Sequence, residues 1–191
     1  MGETEIVILG GRGMLGSDLA VACQQEGLNA AVVDLPEFDI RNESQVAEAL
    51  KGVKAVVNCA AYNDVEKAES EGDLAFKVNA EAVGKLGSAA KDAGIWVLHF
   101  SSDFVFDGKS DRPYVETDLP NPINTYGASK LGGERLLVES GCRHCIMRIE
   151  WTYGVHGSNF ITKLIKAAKK IKKLKIVDDQ VGSPTATAEV A

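Results

Sequence analysis

Short apolar runs alternate with helical patterns along most of this chain. Runs in which nearly every residue is apolar predict parallel strands buried on both faces, at residues 5–9, 30–33, 53–57, 96–100 and 146–149. Apolar residues spaced three to four apart predict helices between and after them, at 15–23, 43–51, 74–93, 126–137 and 160–175. This alternation is typical of the α/β class with a doubly wound parallel sheet. We expect one domain at residues 1–150 and part of a small second lobe at residues 151–191.

The first predicted strand runs directly into a glycine-rich turn. Gly10, Gly13 and Gly16 permit a tight turn, a close approach of the backbone to a pyrophosphate, and close packing of the next helix. The N-terminus of that helix offers free N–H groups and a positive dipole to phosphates. A strand before the glycines and a helix after them distinguish a dinucleotide site from an ordinary turn. The pattern predicts a Rossmann fold that binds NAD(P)H through Gly10, Arg12, Gly13, Met14, Leu15 and Gly16.

Two residues bear on the choice between NADH and NADPH. Asp34 ends the second predicted strand, where an acid holds the adenosine ribose hydroxyls and repels a 2′-phosphate. Arg12, inside the glycine turn, is instead able to pair with a 2′-phosphate. The two residues favour opposite cofactors. We lean slightly to NADH, with use of both left open.

A tyrosine and a lysine lie four residues apart near the start of a predicted helix. Asn124 or Thr125 is the expected cap, which places Tyr126 and Lys130 on one helical face. A fixed ammonium favours phenolate, so we expect Lys130 to lower the pKa of Tyr126 and make it a proton donor. Ser102 follows the fourth predicted strand and is expected to bond both the Tyr126 phenol and a substrate carbonyl. Each signal is weak alone, and together they predict a Ser–Tyr–Lys site.

Composition narrows the classes of partner. The formal net charge of −6 disfavours nucleic acid and anionic membranes, and no apolar run is long enough to span a bilayer. The four cysteines are interpreted as reduced thiols of a cytoplasmic protein, with Cys145 expected in a buried strand beside Cys142. Helix 160–175 is amphipathic, with its lysines interpreted as a solvated face. The remaining apolar residues are expected on one side: Phe160, Leu164, Ala168 and Ile171.

Several short stretches of the sequence resemble the dTDP-4-dehydrorhamnose reductase family, a branch of the extended short-chain dehydrogenase/reductases. The matching stretches are spread in order over the chain, at residues 34–40, 58–69, 101–108, 121–134, 148–154 and 179–185. The resemblance implies Tyr126 as proton donor, Lys130 as its activator and cofactor-ribose ligand, and Ser102 as the hydroxyl that tunes the phenol. It also implies further cofactor contacts, at Asp39, Ile40, Ala60, Ala61 and Tyr62, and substrate contacts, at Ser102, Asp103 and Trp151.

Two departures from that family stand out. Glu150 stands where a small Ser or Thr is usual, which affects the fit of Trp151. Such reductases also continue well past residue 185, so we expect this 191-residue chain to lack the C-terminal part of the substrate lobe. Some family members depend on magnesium; Asp18 matches one of the acids involved, but we predict no metal.

The resemblance implies NAD(P)H-dependent reduction of the 4-keto group of dTDP-4-dehydro-L-rhamnose to dTDP-L-rhamnose. Two alternatives stay open. One is another nucleotide-sugar reductase or epimerase, since residues 12–17 also resemble GDP-fucose synthases. The other is a non-catalytic NAD(P)-binding regulatory subunit, which the methionine adenosyltransferase beta subunit exemplifies. A nucleotide sugar is the expected partner, and a homodimer is left open.

Overall fold

The structure, a computed structural model, describes residues 4–191. Its core is a five-stranded, all-parallel sheet in the order β2-β1-β3-β4-β5. The strands are β1 (Ile6–Leu9), β2 (Ala30–Val33), β3 (Ala55–Asn58), β4 (Trp96–Ser102) and β5 (Arg143–Ile149). The carboxyl ends of all five therefore point to one edge of the sheet, where ligands of open parallel sheets bind.

Helices cover both faces of this sheet. They are α1 (Met14–Gln25), α2 (Glu43–Ala49), α3 (Val65–Ala68), α4 (Gly72–Phe76), α5 (Ala82–Ala93), α6 (Thr125–Ser140), α7 (Phe160–Ala168) and α8 (Thr187–Val190). Side chains of β1 alternate between the two layers. Val7 and Leu9 pack with α2, α5 and α6, whereas Ile8 packs with α1. The sequence-based prediction of a doubly wound Rossmann fold is confirmed.

The predicted helix at 74–93 contains a π-helical turn at Lys77–Glu81. Asn79 lies in this turn and is 1% exposed. On the facing helix, a Cβ on Gly133 would lie 2.1 Å from the Asn79 carbonyl oxygen, so α6 approaches this closely only because residue 133 is glycine. This close packing holds α6 against the π-helical turn.

Residues 151–191 form little regular structure beyond α7 and α8. Strands β6 (Thr152–Tyr153) and β7 (Thr185–Ala186) make a separate two-stranded parallel sheet. Helix α7 ends at Ala168, seven residues earlier than predicted. The lysines that follow at 169, 170, 172 and 173 place like charges three and four residues apart, which disfavours a helix.

Two burial predictions for this half of the molecule are wrong. The expected inward side of α7 is open, with Phe160 64% and Ile171 53% exposed. Cys145 is exposed and Cys142 is buried. The Cys145 prediction is wrong because β5 is an edge strand whose outer face, which carries Cys145 and Met147, lies open within residues 4–191.

In the same described range, each helix is too short or too polar to cross a bilayer.

Candidate active site and cofactor cleft

The glycine turn between β1 and α1 lies against the loop that follows β3. Gly10 has φ 70°, and a Cβ there would lie 2.7 Å from the backbone nitrogen of Ala60. A Cβ on Gly16 would lie 2.5 Å from the Cα of Gly11, so both glycines are needed for the close backbone approach. Gly13 caps α1 without a side-chain acceptor, which leaves the first-turn N–H groups available to a phosphate. These features fit a dinucleotide pyrophosphate.

Asp34 and Arg12 are neighbours at the end of β2. The Asp34 carboxylate accepts hydrogen bonds from the backbone nitrogens of Arg12 at 2.9 Å and Leu35 at 2.7 Å. The Arg12 guanidinium donates to Glu37 at 2.8 Å and to the Leu35 carbonyl at 3.3 Å. The sequence alone did not identify Glu37. Its carboxylate pairs with the Arg12 guanidinium, the cation expected to attract a 2′-phosphate.

The other predicted cofactor contacts lie at the ends of β2 and β3. Ile40 is 6% exposed and packs in the core with Leu9. Asp39 is paired with Arg41 at 2.5 Å and borders an open cavity of about 530 Å³. Ala60 is partly buried beside Gly10, as a close backbone approach requires.

Asn79 connects the loop after β3 to the helix that carries Tyr126. Its side chain accepts from the Tyr62 nitrogen at 2.8 Å and donates to the Tyr62 carbonyl at 3.0 Å. It also donates to the Ser129 hydroxyl at 3.0 Å. The only sequence signal for the link was an amide inside an apolar helical pattern.

Glu69 fixes the start of α6 from outside. It accepts from the backbone nitrogen of Thr125 at 2.7 Å and from its hydroxyl at 2.8 Å, while Asn124 caps the helix through Gly127 at 2.7 Å. Glu69 therefore has a structural role at the start of α6. Together these contacts orient the turn that carries Tyr126.

Lys130 is 3% exposed, and its ammonium donates to the Phe100 carbonyl of β4 at 2.7 Å. Burial lowers the pKa of Lys130 to about 8, and the nearby Glu134 carboxylate acts in the opposite direction. Glu134 is itself held by a two-pronged pair with Arg148, at 2.9 and 2.7 Å. The cation is thus fixed at the end of β4 with a buried counter-charge one helical turn away.

Tyr126 is 8% exposed and packs edge-to-face against Phe104, with ring centroids 5.6 Å apart. Burial raises the pKa of Tyr126 to about 12; a hydrogen bond with Ser102 lowers it and the Asp103 charge raises it. The expectation that Lys130 lowers the pKa of this phenol is therefore wrong for the structure. The lysine is turned to a backbone carbonyl, and the cost of burying a phenolate is the larger effect.

Ser102 and Asp103 form a short polar chain beside this phenol. The Ser102 hydroxyl donates to Asp103 at 2.8 Å and accepts from the Phe104 nitrogen at 3.2 Å. Burial raises the pKa of Asp103; the Ser102 hydrogen bond lowers it, and the neighbouring Glu150 charge raises it. Ser102 thus influences the phenol, and it bonds an acid that the sequence-based prediction had not connected to it.

Trp151 lies between β5 and β6, is 44% exposed, and has a left-handed φ of 44°. The preceding Glu150 accepts from the Ser183 nitrogen at 2.5 Å, so its larger side chain is accommodated by tying residue 183 to this turn. A Cβ on Gly182 would lie 2.8 Å from the Trp151 ring. The indole is therefore held by the segment that precedes β7.

These contacts bring the predicted residues from four separate segments to one sheet edge. Gly10 touches Ala60, and the charges of Lys130 and Asp34 both act on the thiol next to it, Cys59. Lys130 donates to the Phe100 carbonyl in β4, two residues before Ser102, and Ser102 lies close enough to the Tyr126 phenol to influence its pKa. The Tyr126 phenol and the Lys130 ammonium therefore lie at the same edge of the sheet as the glycine turn.

Asp18, which matches an acid of magnesium-dependent relatives, is engaged within the protein. It accepts from the Thr187 hydroxyl at 2.5 Å and lies 3.6 Å from His156. Over residues 4–191, no group of three or more His, Cys, Asp or Glu side chains is placed to hold a metal ion.

Comparison with known proteins gives consistent matches over nearly the whole chain. The family described as RmlD substrate binding domain matches residues 4–191. The dTDP-4-dehydrorhamnose reductase of Escherichia coli strain K12 is 38% identical over 185 residues, which cover 94% of this chain and 62% of that protein. This chain therefore spans about three fifths of the length of such curated relatives.

Two solved structures match at a TM-score of 0.93. A dTDP-4-dehydrorhamnose reductase from Clostridium acetobutylicum is 36% identical and covers 97% of this chain and 67% of its own. The dTDP-4-dehydrorhamnose reductase from Bacillus anthracis, in complex with NADP, is 35% identical and covers 100% of this chain and 68% of its own.

Proposed function

We propose, since this chain belongs to the RmlD substrate binding domain family, that it is the cofactor-binding part of a nucleotide-sugar reductase. The proposed reaction is reduction of the 4-keto group of dTDP-4-dehydro-L-rhamnose to dTDP-L-rhamnose. The observation that carries the proposal is the bond from Lys130 to Phe100 in β4, two residues before Ser102, together with the influence of Ser102 on the Tyr126 phenol. Residues 1–150 would bind the cofactor and residues 151–191 would contribute part of the substrate lobe.

Each residue has a role that its surroundings support. A reduced nicotinamide bound along the glycine turn would supply the hydride. Tyr126 would give its phenolic proton to the ketone oxygen, and Ser102 would hold that oxygen and the phenol together. Lys130 would supply positive charge near the developing phenolate and bond the cofactor ribose. Asp103 and Trp151 would contact the sugar.

The environment of the cysteines supports a reducing compartment. Cys23, Cys59, Cys142 and Cys145 are all free thiols, which fits the cytoplasm, where sugar nucleotides would be the substrates. The proposal leaves open whether the protein forms a homodimer. Sedimentation velocity of the protein would determine its oligomeric state.

The reductase proposal is tested by turnover of defined keto sugars by the complete protein. We expect oxidation of NADH or NADPH with dTDP-4-dehydro-L-rhamnose and formation of one equivalent of dTDP-L-rhamnose. GDP- and UDP-linked keto sugars should react at least about tenfold more slowly, because a matched polar site rejects a misplaced base. If the protein reduces only a keto sugar that is linked to another nucleotide, the proposed dTDP-linked substrate is wrong. Failure of every keto sugar, together with capture of a stoichiometric enzyme partner, would favour the regulatory-subunit alternative.

For the cofactor, we propose a modest preference for NADH with NADPH also accepted. Asp34, which bonds the Arg12 nitrogen in the glycine turn, would face the adenosine ribose, and Glu37 engages the Arg12 guanidinium. Both acids oppose a 2′-phosphate by like charge. The pair of Arg12 and Glu37 is exposed, so a bound phosphate is able to compete for the arginine at modest cost.

Asp34→Ser is expected to shift this preference to NADPH. Removing the carboxylate relieves repulsion of the 2′-phosphate and keeps a hydroxyl that bonds the ribose, so the NADPH-to-NADH affinity ratio should rise about tenfold. Quenching of protein fluorescence by each cofactor measures both affinities. Glu26→Gln is the matched control, because it removes one negative charge just past the far end of α1 and should leave the ratio unchanged. An unchanged ratio in Asp34→Ser would contradict the proposed ribose site.

A further inference from the structure

Trp151 has a backbone conformation that a bulky residue rarely adopts. Its φ of 44° lies in the left-handed region, where any side chain larger than that of glycine crowds the following carbonyl oxygen. Residues in this conformation persist only where the surrounding structure fixes them, and they cluster at active sites and ligand-binding sites. The neighbours of Trp151 therefore have to supply contacts that hold it in place.

Two hydrogen bonds tie the turn at Trp151 to residues 183–185. The Glu150 carboxylate accepts from the Ser183 backbone nitrogen at 2.5 Å, and the Trp151 carbonyl accepts from the Thr185 backbone nitrogen at 3.2 Å. The Thr185 hydroxyl donates to the Ser183 carbonyl at 3.0 Å, which fixes that segment itself. Of the two bonds that reach the turn, only the first depends on a side chain of the turn. Glu150 is therefore the position at which a substitution releases it.

Gly182 allows the indole to lie against the same segment. A Cβ on Gly182 would lie 2.8 Å from the Cε2 atom of Trp151 and 3.1 Å from the Oε2 atom of Glu150. The first distance is shorter than a normal carbon–carbon contact, so the ring occupies its place only because residue 182 has no side chain. We call Glu150, Gly182, Ser183 and Thr185 the Trp151 clasp.

The clasp holds the indole at the edge of the sheet that carries Ser102. Ser102 and Ile149 are paired across the parallel strands β4 and β5, so Trp151 leaves the sheet two residues after the partner of Ser102. The indole is 44% exposed although its backbone and one edge of its ring are held. An exposed aromatic ring in a fixed orientation offers apolar area to a ligand and has little freedom to lose when the ligand binds.

We propose that Glu150 and Gly182 are positioning residues, which hold the Trp151 indole ready as one wall of the sugar site. The inference rests on the proposed function, in which Trp151 contacts the sugar, and it adds the residues that prepare this contact. A mobile indole would lose conformational freedom when the sugar binds, and that loss would weaken binding. Because the clasp acts before the sugar arrives, it should affect binding of the sugar much more than the chemical step.

The first test observes the indole directly and needs no turnover. In protein labelled with 5-fluorotryptophan, the Trp151 signal is the fluorine resonance that Trp151→Phe removes. We expect this resonance to be single and narrow in the unchanged protein, and shifted or broadened in Glu150→Ala and in Gly182→Ala. The resonance of Trp96, at the opposite end of β4 from Ser102, should stay in place and reports that the sheet is intact.

Glu150→Gln separates the hydrogen bond from the charge. Gln keeps an oxygen that accepts from the Ser183 nitrogen, so the Trp151 resonance should match that of the unchanged protein. Glu139→Ala, which removes an exposed glutamate of α6, is the matched control for the loss of a carboxylate. The clasp is refuted if Glu150→Ala and Gly182→Ala both leave the Trp151 resonance unchanged. It is also refuted if Glu150→Gln displaces the resonance as far as Glu150→Ala does.

The second test measures KM and kcat of the complete protein with dTDP-4-dehydro-L-rhamnose. Glu150→Ala and Gly182→Ala should each raise KM for the sugar about fivefold, because a freed side chain has to be ordered on binding, and change kcat less than about twofold. Glu150→Gln should keep KM within about twofold of the unchanged value, because the bond to Ser183 is retained. An unchanged KM in both alanine variants would overturn the role in sugar binding, and so would a fall in kcat alone.

The proposed function and the clasp fail in different ways. If the unchanged protein reduces no keto sugar, the proposed function fails, and the fluorine resonance alone decides whether the clasp holds the indole. If the sugar is reduced while both alanine variants keep the resonance and KM of the unchanged protein, the reductase assignment stands and only the clasp falls.

Discussion

Tyr126→Phe is expected to lower kcat roughly 1000-fold and to change the affinity for NADH or NADPH less than about twofold. The substitution removes only the phenolic hydroxyl, and the ring keeps its edge-to-face contact with Phe104. Because the side chain is buried, the reaction has no easy substitute donor from water. Stopped-flow absorbance of the reduced cofactor measures the rate, and fluorescence titration measures cofactor affinity.

Tyr153→Phe is the matched control for that experiment. Tyr153 is a partly buried tyrosine in β6 that is not proposed to contact the cofactor or the reacting ketone, so the loss of its hydroxyl should leave the rate unchanged. A Tyr126→Phe protein that reduces the sugar within about tenfold of the unchanged rate would exclude the phenol as proton donor. A loss of cofactor affinity as large as the loss of rate would instead indicate a disturbed cleft.

Lys130→Met is expected to abolish turnover and yet to raise the free energy of unfolding at pH 7. Burial lowers the pKa of Lys130 from 10.5 to about 8, a difference that corresponds to roughly 3 kcal/mol of cost for keeping the ammonium inside. Met fills a similar volume without a charge. It leaves the Phe100 carbonyl without its donor, at a cost of about 1 kcal/mol. The net expected gain is about 2 kcal/mol in urea denaturation.

The pH dependence of that gain follows from the lowered pKa. Between about pH 8 and 10.5 the unfolded chain holds a proton on Lys130 that the folded protein has released. The stability of the unchanged protein therefore rises with pH across this window relative to Lys130→Met, and the difference between the two narrows. Below pH 8 the difference is full and constant. Lys77→Met, at an exposed lysine, should show neither effect. A destabilised Lys130→Met at pH 7 would mean that the Phe100 contact outweighs the cost of burial.

A lower free energy of unfolding caused by Lys130 is expected at a site that buries charged and polar side chains. A buried ammonium, a buried phenol and two neighbouring carboxylates are each unfavourable inside a folded protein. Glu134 and Arg148 partly offset the first of these through their two-pronged pair. The π-helical turn at Asn79 has the same character, since it interrupts a regular helix where the chain bonds the strand-end loop.

Much of the fold follows from local patterns in the sequence. Unbroken apolar runs identify strands buried on both faces, and the glycine turn between β1 and α1 identifies the phosphate end of the cleft. The spacing of Tyr126 and Lys130 on one helix is also local, as is the cap at Asn124. Such features depend on neighbours within a few residues, so one sequence is enough to read them.

Lysine-rich residues 169–175 show where that reasoning stops. Apolar spacing alone extended α7 to residue 175, but the helix ends at Ala168. The burial of Cys145 likewise could not be read locally, because the alternation in β5 does not say which face other elements cover.

The chain by itself determined the doubly wound sheet and the glycine turn after its first strand, and it predicted which residues lie at that edge of the sheet. Only the tertiary structure decided their electrostatics: Lys130 on the Phe100 carbonyl, a raised pKa for Tyr126, and Asp103 next to Glu150. The physical reason is that a residue's type and spacing are written in the sequence. The cost of its charge depends on how much water is excluded and which charges from distant segments face it.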